Sequence, residues 1–433
     1  MSSLAVRGGT VIDETGARRA DVLVVDGLVA EVAPAVSAEG ARELDATGCW
    51  VCPGLVDLHV HLRQPGAEHA ETVATGSRAA ALGGFTAVVA MANTLPPLDT
   101  VAAVRQVRAW GREAGLCDVH PAAAITVGRA GERLVDFAAL HAAGVRLFTD
   151  DGDEVADAAV MRAAFEATAP LDGAVLGQHS ECATLVAGGH LHEGDVSDAL
   201  GLRGRPAEAE EVTVARDLAL ARLTGGRLHV LHASAARTVD LVRRARAEGV
   251  AVTMEVTPQH LTLTQQACAG GDPTFKVNPP LRDAADLAAL RAGLADGTVD
   301  AIATDHAPHP PAAKARPFAD APPGMLGLET ALAVVLTDLV APGVVDLPTA
   351  LRALSWRPAR IAGLRAAGHG RPVAPGEPAN LCVVDPGEAW VVDGAALASR
   401  SRNTPFAGRR LEGRARHTVQ GGEAVVVGGE AQR

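Results

Sequence analysis

The stretch Asp57-Leu58-His59-Val60-His61-Leu62-Arg63, "DLHVHLR", ends an apolar run that starts at Leu55 and alternates imidazole with apolar side chains. Successive strand residues point to opposite faces, so the alternation predicts His59 and His61 on one face and Leu58, Val60 and Leu62 on the other. What lies on either side of this strand decides the fold. Upstream, short β-rich runs at 4–6, 11–12, 22–25 and 29–32 alternate with Gly and Asp turns, which predicts a small antiparallel sheet. From Val51 onward, short apolar runs end in polar residues and are separated by Ala-, Leu- and Arg-rich stretches of helical period, the alternation of βα units. Eight such runs occur, at 55–59, 86–91, 121–127, 145–148, 174–178, 228–231, 250–256 and 299–303. Eight βα units close naturally into a barrel. After about Gly363 the β-rich style returns. The predicted architecture is therefore α/β: a (β/α)8 TIM-like barrel over 53–363, and a small β-sandwich domain formed by both termini, 1–52 and 364–433.

Composition narrows the function. The 433 residues are 48% hydrophobic and 21% charged, as in an ordinary folded enzyme. A formal charge of −12, no Tyr, seven Phe and four Trp argue against a phosphate-backbone grip or base stacking, so nucleic acid is not an expected partner. The start, "MSSLAVRGGTVIDETG", lacks the basic, apolar and small-residue regions of a secretory signal. The uncharged stretch 79–98 is broken by Gly83-Gly84, Asn93 and Pro96-Pro97, so no membrane span is expected and the cytoplasm is the expected location. Six scattered cysteines fit reduced core thiols, and the single CxxC at Cys49 and Cys52 has no second pair to complete a zinc ribbon.

Barrel active sites form at the C-terminal ends of the strands, so those ends are where chemistry is sought. A lone HxH is weak evidence for a metal, and "DDG" after a strand is usually a solvated turn. Here, however, run four ends in Asp150-Asp151, run five in Gln178-His179-Ser180-Glu181, run six in Leu231-His232-Ala233-Ser234 and run eight in Thr304-Asp305-His306. Five strand ends offering imidazole and carboxylate suit a pair of zinc-like divalent ions. His229, three residues before His232, is expected to face away from it as packing or surface. His120, His260 and His369 carry no placement signal.

The motifs "DLHVHLRQPG" (57–66), "MANTLP" (91–96), "LFTDDG" (147–152), "QHSE" (178–181), "LHASA" (231–235), "FKVNPPLR" (275–282) and "ATDHAPH" (303–309) together resemble the cyclic amidohydrolases. Within them the chain is similar to the type I dihydroorotases, over nearly its whole length. The resemblance implies reversible, metal-dependent hydrolysis of the cyclic amide of (S)-dihydroorotate to N-carbamoyl-L-aspartate, a step of de novo pyrimidine (UMP) biosynthesis. It implies that His59, His61 and Asp305 bind one metal, that His179 and His232 bind a second, and that a carboxylate bridges them. Many relatives bridge with a carbamylated lysine at the end of strand four. This chain has only Lys276 and Lys314, neither placed to do so. The resemblance therefore implies two ions, most readily Zn2+, bridged by Asp151 with Asp150 as the fallback, and no carbamylated lysine.

By the same resemblance Asp305 is the catalytic proton carrier, and His61, Arg63, Asn93, Asn278, His309, Pro323 and Gly324 contact the substrate. Gln64 and Pro323 depart from the family's common Glu and aromatic residue. A guanidinium suits the acid group that separates dihydroorotate from hydantoins and dihydropyrimidines. The segment 310–324, rich in Pro and Ala, is expected to be a mobile lid. Rival readings are a hydantoinase- or allantoinase-like amidohydrolase, and a non-catalytic partner of aspartate transcarbamoylase. The chain is compatible with a homo-oligomer or with a complex of that kind.

Overall fold

The computed structural model describes residues 3–433. Eight strands, Leu55–Val60, Phe85–Ala90, Asp118–Pro121, Leu147–Phe148, Val175–Gln178, Leu228–Val230, Val252–Val256 and Ala301–Ile302, follow one another around a ring. Neighbours pair in parallel within a three-stranded and a five-stranded group. Parallel bridges from Ala123 to Phe148 and from Val60 to His306 join the groups at both seams, which closes the (β/α)8 barrel. Helices between the strands begin where the sequence places caps: the Thr72, Thr100, Asp157 and Asp283 side chains each accept a first-turn amide. The helix Val101–Ala114 buries Val104, Val107 and Gly111. A Cβ at Gly111 would lie 2.6 Å from the Cβ of Val119, so only glycine lets this helix pack so close to the third strand.

Two corrections concern strands. The third strand is Asp118–Pro121, earlier than the run 121–127. Asp118 and His120 hide it from a search for apolar runs, while the apolar stretch after it stays on the sheet only as far as the Ala123 bridge and then turns the Ile125 and Thr126 amides toward Asp150. In the first strand, the simple alternation fails. Asp57 pairs with Val88 but Val60 with Ala90, so an extra residue is accommodated around Leu58-His59. As a result Val56 and Leu58 pack in the barrel interior with Ala87, Val89 and Ala122, whereas Val60 and Leu62 join the layer beneath the helices. The irregularity re-aims the chain just before the site.

The termini are paired with each other. Trp50–Pro53 lies antiparallel to Leu381–Val391 at the centre of a seven-stranded sheet that also holds Thr10–Asp13, Gly16–Arg19 and Arg410–Gln420. A four-stranded sheet around Ser3–Arg7 shares a core with it, in which Val6, Val22, Val51, Leu381 and Val419 are buried. The N-terminal part is not purely antiparallel as expected: Ser3–Arg7 runs parallel to Arg42–Asp45, and Thr10–Asp13 to Trp50–Pro53. Among the described residues no helix is long and apolar enough to cross a membrane.

Candidate active site

The strand ends converge on Asp151. Its carboxylate lies 3.3 Å from His59 Nε2 and His232 Nε2, 3.5 Å from His61 Nε2 and 3.6 Å from His179 Nδ1. Asp305 Oδ1 is 2.9 Å from His61 Nε2 and 3.6 Å from His59 Nε2. All six side chains are buried. Asp150, by contrast, is turned away. Its Oδ1 accepts the amides of Ile125 and Thr126 at 2.8 and 3.1 Å, and its Oδ2 accepts the Thr126 hydroxyl, so both oxygens serve the loop after the third strand.

These residues fit a pair of metal ions. His59, His61 and Asp151 form one triad and Asp151, His179 and His232 a second, with ligand atoms in each within 4.8 Å of one another and Asp151 shared. His59 Nε2 and Asp151 Oδ1 are buried without a hydrogen bond, and two imidazole nitrogens, His179 Nδ1 and His232 Nε2, face each other at 3.0 Å. Buried polar atoms left in this way call for a partner that protein groups do not supply. Without a cation the imbalance is met by protons. Burial alone would depress His179, yet Asp151 and Glu181 raise it to about 10; burial would raise Asp151, yet the surrounding imidazoles hold it well below the carboxylate range.

Outer carboxylates and amides orient the rings. His59 Nδ1 donates to Glu255 at 2.7 Å, His61 Nδ1 to Asn93 Oδ1 at 2.9 Å, and His179 Nε2 to Glu181 at 3.1 Å, which leaves the inner nitrogens of these rings as lone-pair donors. Glu255 was missed by the sequence reading, although a carboxylate inside the apolar run "VTMEV" is a signal. Its other oxygen accepts from His229 Nε2 at 3.1 Å, which corrects the surface alternative for His229: that ring is fully buried behind the site. His306 donates to Glu71 at 3.3 Å and accepts the Gly327 amide, anchoring the loop after the last strand. His260 donates to the Pro279 carbonyl and so holds the turn that carries Asn278.

Beside the triads opens a cavity of about 240 Å3. It is lined by His61, Arg63, Asn93, Asn278, Asp305, His309, Pro323 and Gly324, among others, so the structure brings together the residues the motifs single out. Arg63 is held by a bond from Nε to the Pro308 carbonyl at 3.2 Å, and among the described residues no ion pair to it occurs. His309 donates from Nε2 to the Pro323 carbonyl at 2.8 Å; the 3.4 Å approach of Arg63 to the same nitrogen is then a contact between donors. Burial and the neighbouring Arg63 push His309 down to about 3, so its ring stays neutral. Arg63, His232 and Asp305 have φ values of 58°, 31° and 46°, a left-handed backbone that costs non-glycine residues energy and clusters at functional sites.

The segment after the last strand is folded over this cavity and anchored there. Asn403, another residue missed from sequence, accepts the His309 amide and donates to the Ala307 and Gly324 carbonyls, each at 3.0 Å. Lys314 is buried in a short helix, Pro311–Lys314, with its amine on the Pro322 and Lys276 carbonyls; Lys276 binds the Phe318 and Ala319 carbonyls. The two lysines of the chain thus anchor the segment.

Similarity to known proteins points the same way. The chain is 49% identical to a dihydroorotase of Streptomyces coelicolor, over 99% of this chain and 100% of that protein. It is 48% identical to the dihydroorotase of Mycobacterium tuberculosis over 99% of both. The chain belongs to the dihydroorotase family. A family model described as "Dihydro-orotase-like" matches residues 48–238, which span the strand ends that carry His59, His61, Asp151, His179 and His232. Among solved structures, an L-hydantoinase from Arthrobacter aurescens superposes with a TM-score of 0.87 at 27% identity, covering 100% of this chain and 98% of its own. A dihydropyrimidinase from Brevibacillus agri superposes with a TM-score of 0.83 at 23% identity, covering 99% and 96%, and shares the fold.

Proposed function

We propose that the chain is a dihydroorotase that opens the ring amide of (S)-dihydroorotate to N-carbamoyl-L-aspartate, and closes it in reverse, in de novo pyrimidine biosynthesis. The observation that carries this reading is Arg63, a half-buried guanidinium that lines the cavity beside Asp151 and has no carboxylate ion pair among the described residues. A planar, permanently charged donor lining such a cavity receives a carboxylate in bidentate fashion. Hydantoins and dihydropyrimidines lack that group.

In this reading the barrel, 53–363, carries the chemistry, and segments 1–52 and 364–433 form the second domain. His59, His61 and Asp305 would hold one divalent ion and His179 and His232 another, with Asp151 between them; the imidazole and carboxylate donors suit zinc. Bound there, the ions would polarise the amide carbonyl and lower the pKa of water. The protein's own groups do the rest. Arg63 with Asn93, Asn278 and neutral His309 fixes the substrate carboxylate, which sets the ring carbonyl toward Asp305. Asp305 accepts a proton from water as its oxygen bonds to the carbonyl carbon. It then returns that proton to the ring nitrogen as the C–N bond breaks, leaving a terminal urea nitrogen and a carboxylic acid, which releases the second water proton to solvent to become the carboxylate. The loop held by Asn403 keeps bulk water out.

Metal analysis combined with a dihydroorotate hydrolysis assay tests the proposal; hydantoin turnover exceeding dihydroorotate turnover would replace it with the hydantoinase reading. A full ligand set argues against the non-catalytic reading. The cytoplasm as its location, and self-association or assembly with an aspartate transcarbamoylase, are part of the proposal. Fractionation and native mass measurement test them.

A further inference from the structure

At the opposite end of the barrel a second cluster of donors stands apart from the chemistry above. Asp118 and His120 project from the start of the third strand, two residues apart and so on one face, where their partners in register are Ala87 and Val89 of the barrel interior. The C-terminal segment that plugs this end, with Ala359, Ala362 and Leu364 in the interior cluster, brings His369 against them. A ligand atom from each of Asp118, His120 and His369 lies within 4.8 Å of the other two.

We propose that this cluster is a binding site for a divalent transition-metal ion of the zinc class. It repeats the signs seen at the catalytic triads. His369 Nε2 is 2.8 Å from Asp118 Oδ2, and the ring's Nδ1 is 3.2 Å from the Thr86 hydroxyl, which can accept its proton and leave Nε2 as a lone-pair donor. Gln420 donates to the other Asp118 oxygen at 2.9 Å and fixes the carboxylate. His120 Nε2 is buried without a hydrogen bond, although its ring meets that of His369 edge-on at 5.9 Å between centroids. A simple His369–Asp118 hydrogen bond accounts for one contact and leaves that nitrogen orphaned; an ion accounts for both. Two atoms each about 2.0 Å from a tetrahedral zinc stand about 3.3 Å apart, so the observed 2.8 Å opens by a fraction of an ångström to admit it. Burial and the neighbouring His369 push His120 to about 4, so at neutral pH it is in the uncharged form that binds metal. The Asp118 side chain is 40% exposed, which gives the ion a path in.

Such an ion ties the third strand to the C-terminal segment and stabilises the fold by mass action without touching substrate. The test uses the full chain, stripped with chelator and dialysed against micromolar free Zn2+, with elemental analysis of the parent, Asp118→Asn, His120→Gln and His369→Gln. Each variant is expected to hold one equivalent fewer than the parent and to keep its hydrolytic kcat/KM. With Co2+ in place of zinc, each loses one component of the visible absorption. Asp118→Asn, at a partly exposed position, carries the test if a histidine variant fails to fold. Equal metal content in Asp118→Asn and the parent, with an unchanged Co2+ spectrum, overturns the site.

Discussion

Replacing Asp151 by Asn keeps the side chain's size and removes the charge that four imidazole nitrogens surround at 3.3 to 3.6 Å. Breaking a buried charged pair by neutralising one partner costs about 3 to 5 kcal/mol. At about 1.4 kcal/mol per decade, that corresponds to a loss of roughly two to three and a half powers of ten in affinity for the ions it bridges. The variant is therefore expected to lose at least one equivalent of metal on dialysis and nearly all turnover. Asp150→Asn is the control one residue away. It retains an acceptor oxygen for the Ile125 and Thr126 amides, and its new amide can donate to the Thr126 hydroxyl, so a cost of about 1 kcal/mol in stability and no loss of metal are expected. Since aspartate is an anion at neutral pH without CO2, reconstitution with metal should not depend on added bicarbonate. The assays are elemental analysis, thermal melting and dihydroorotate hydrolysis. An Asp151→Asn protein with the parent's metal content and near-normal turnover would refute the bridging assignment, and so would a bicarbonate requirement.

Arg63→Ala removes a charge-assisted contact worth about 1.5 to 3 kcal/mol, so KM for dihydroorotate should rise by roughly one to two powers of ten with metal content intact; unchanged kinetics remove Arg63 from the site. Asn403→Ala deletes three hydrogen bonds around His309 and Gly324, and is expected to increase proteolysis of 310–324 and to raise KM more than it lowers melting temperature. Glu255→Gln weakens the hold on His59 Nδ1 and should lower metal affinity without altering substrate preference, as read by chelator competition. Burial, with a smaller push from Lys276, lowers Lys314 to about 7. The folded state then binds fewer protons than the unfolded state between pH 7 and about 10.4, so this residue's contribution to stability grows as pH rises through that window. Lys314→Met should accordingly gain most, relative to the parent, near pH 6 and progressively less toward pH 10 in denaturant unfolding.

Much of this was legible in the chain. Seven of the eight runs overlap their strands and the eighth, at 121–127, meets its strand at Pro121, because apolar runs bounded by caps and turns are local consequences of side-chain chemistry. The motifs at the strand ends named the cavity's residues because a barrel delivers every strand end to one face. Other features belong to the tertiary structure alone. Asp150 and Asp151 are adjacent and chemically identical; only the loop amides at Ile125 and Thr126, reached through the neighbouring strand, turn one outward and leave the other to the imidazoles. Glu255, Asn403 and the partnership of Asp118 with His369, 251 positions away, depend on which segments the folded chain brings together. Sequence thus determined which groups each element offers, through short-range periodicity and capping. Their aim, burial and partners were decided by packing, because hydrogen-bond geometry and desolvation act across a few ångströms of space regardless of separation along the chain.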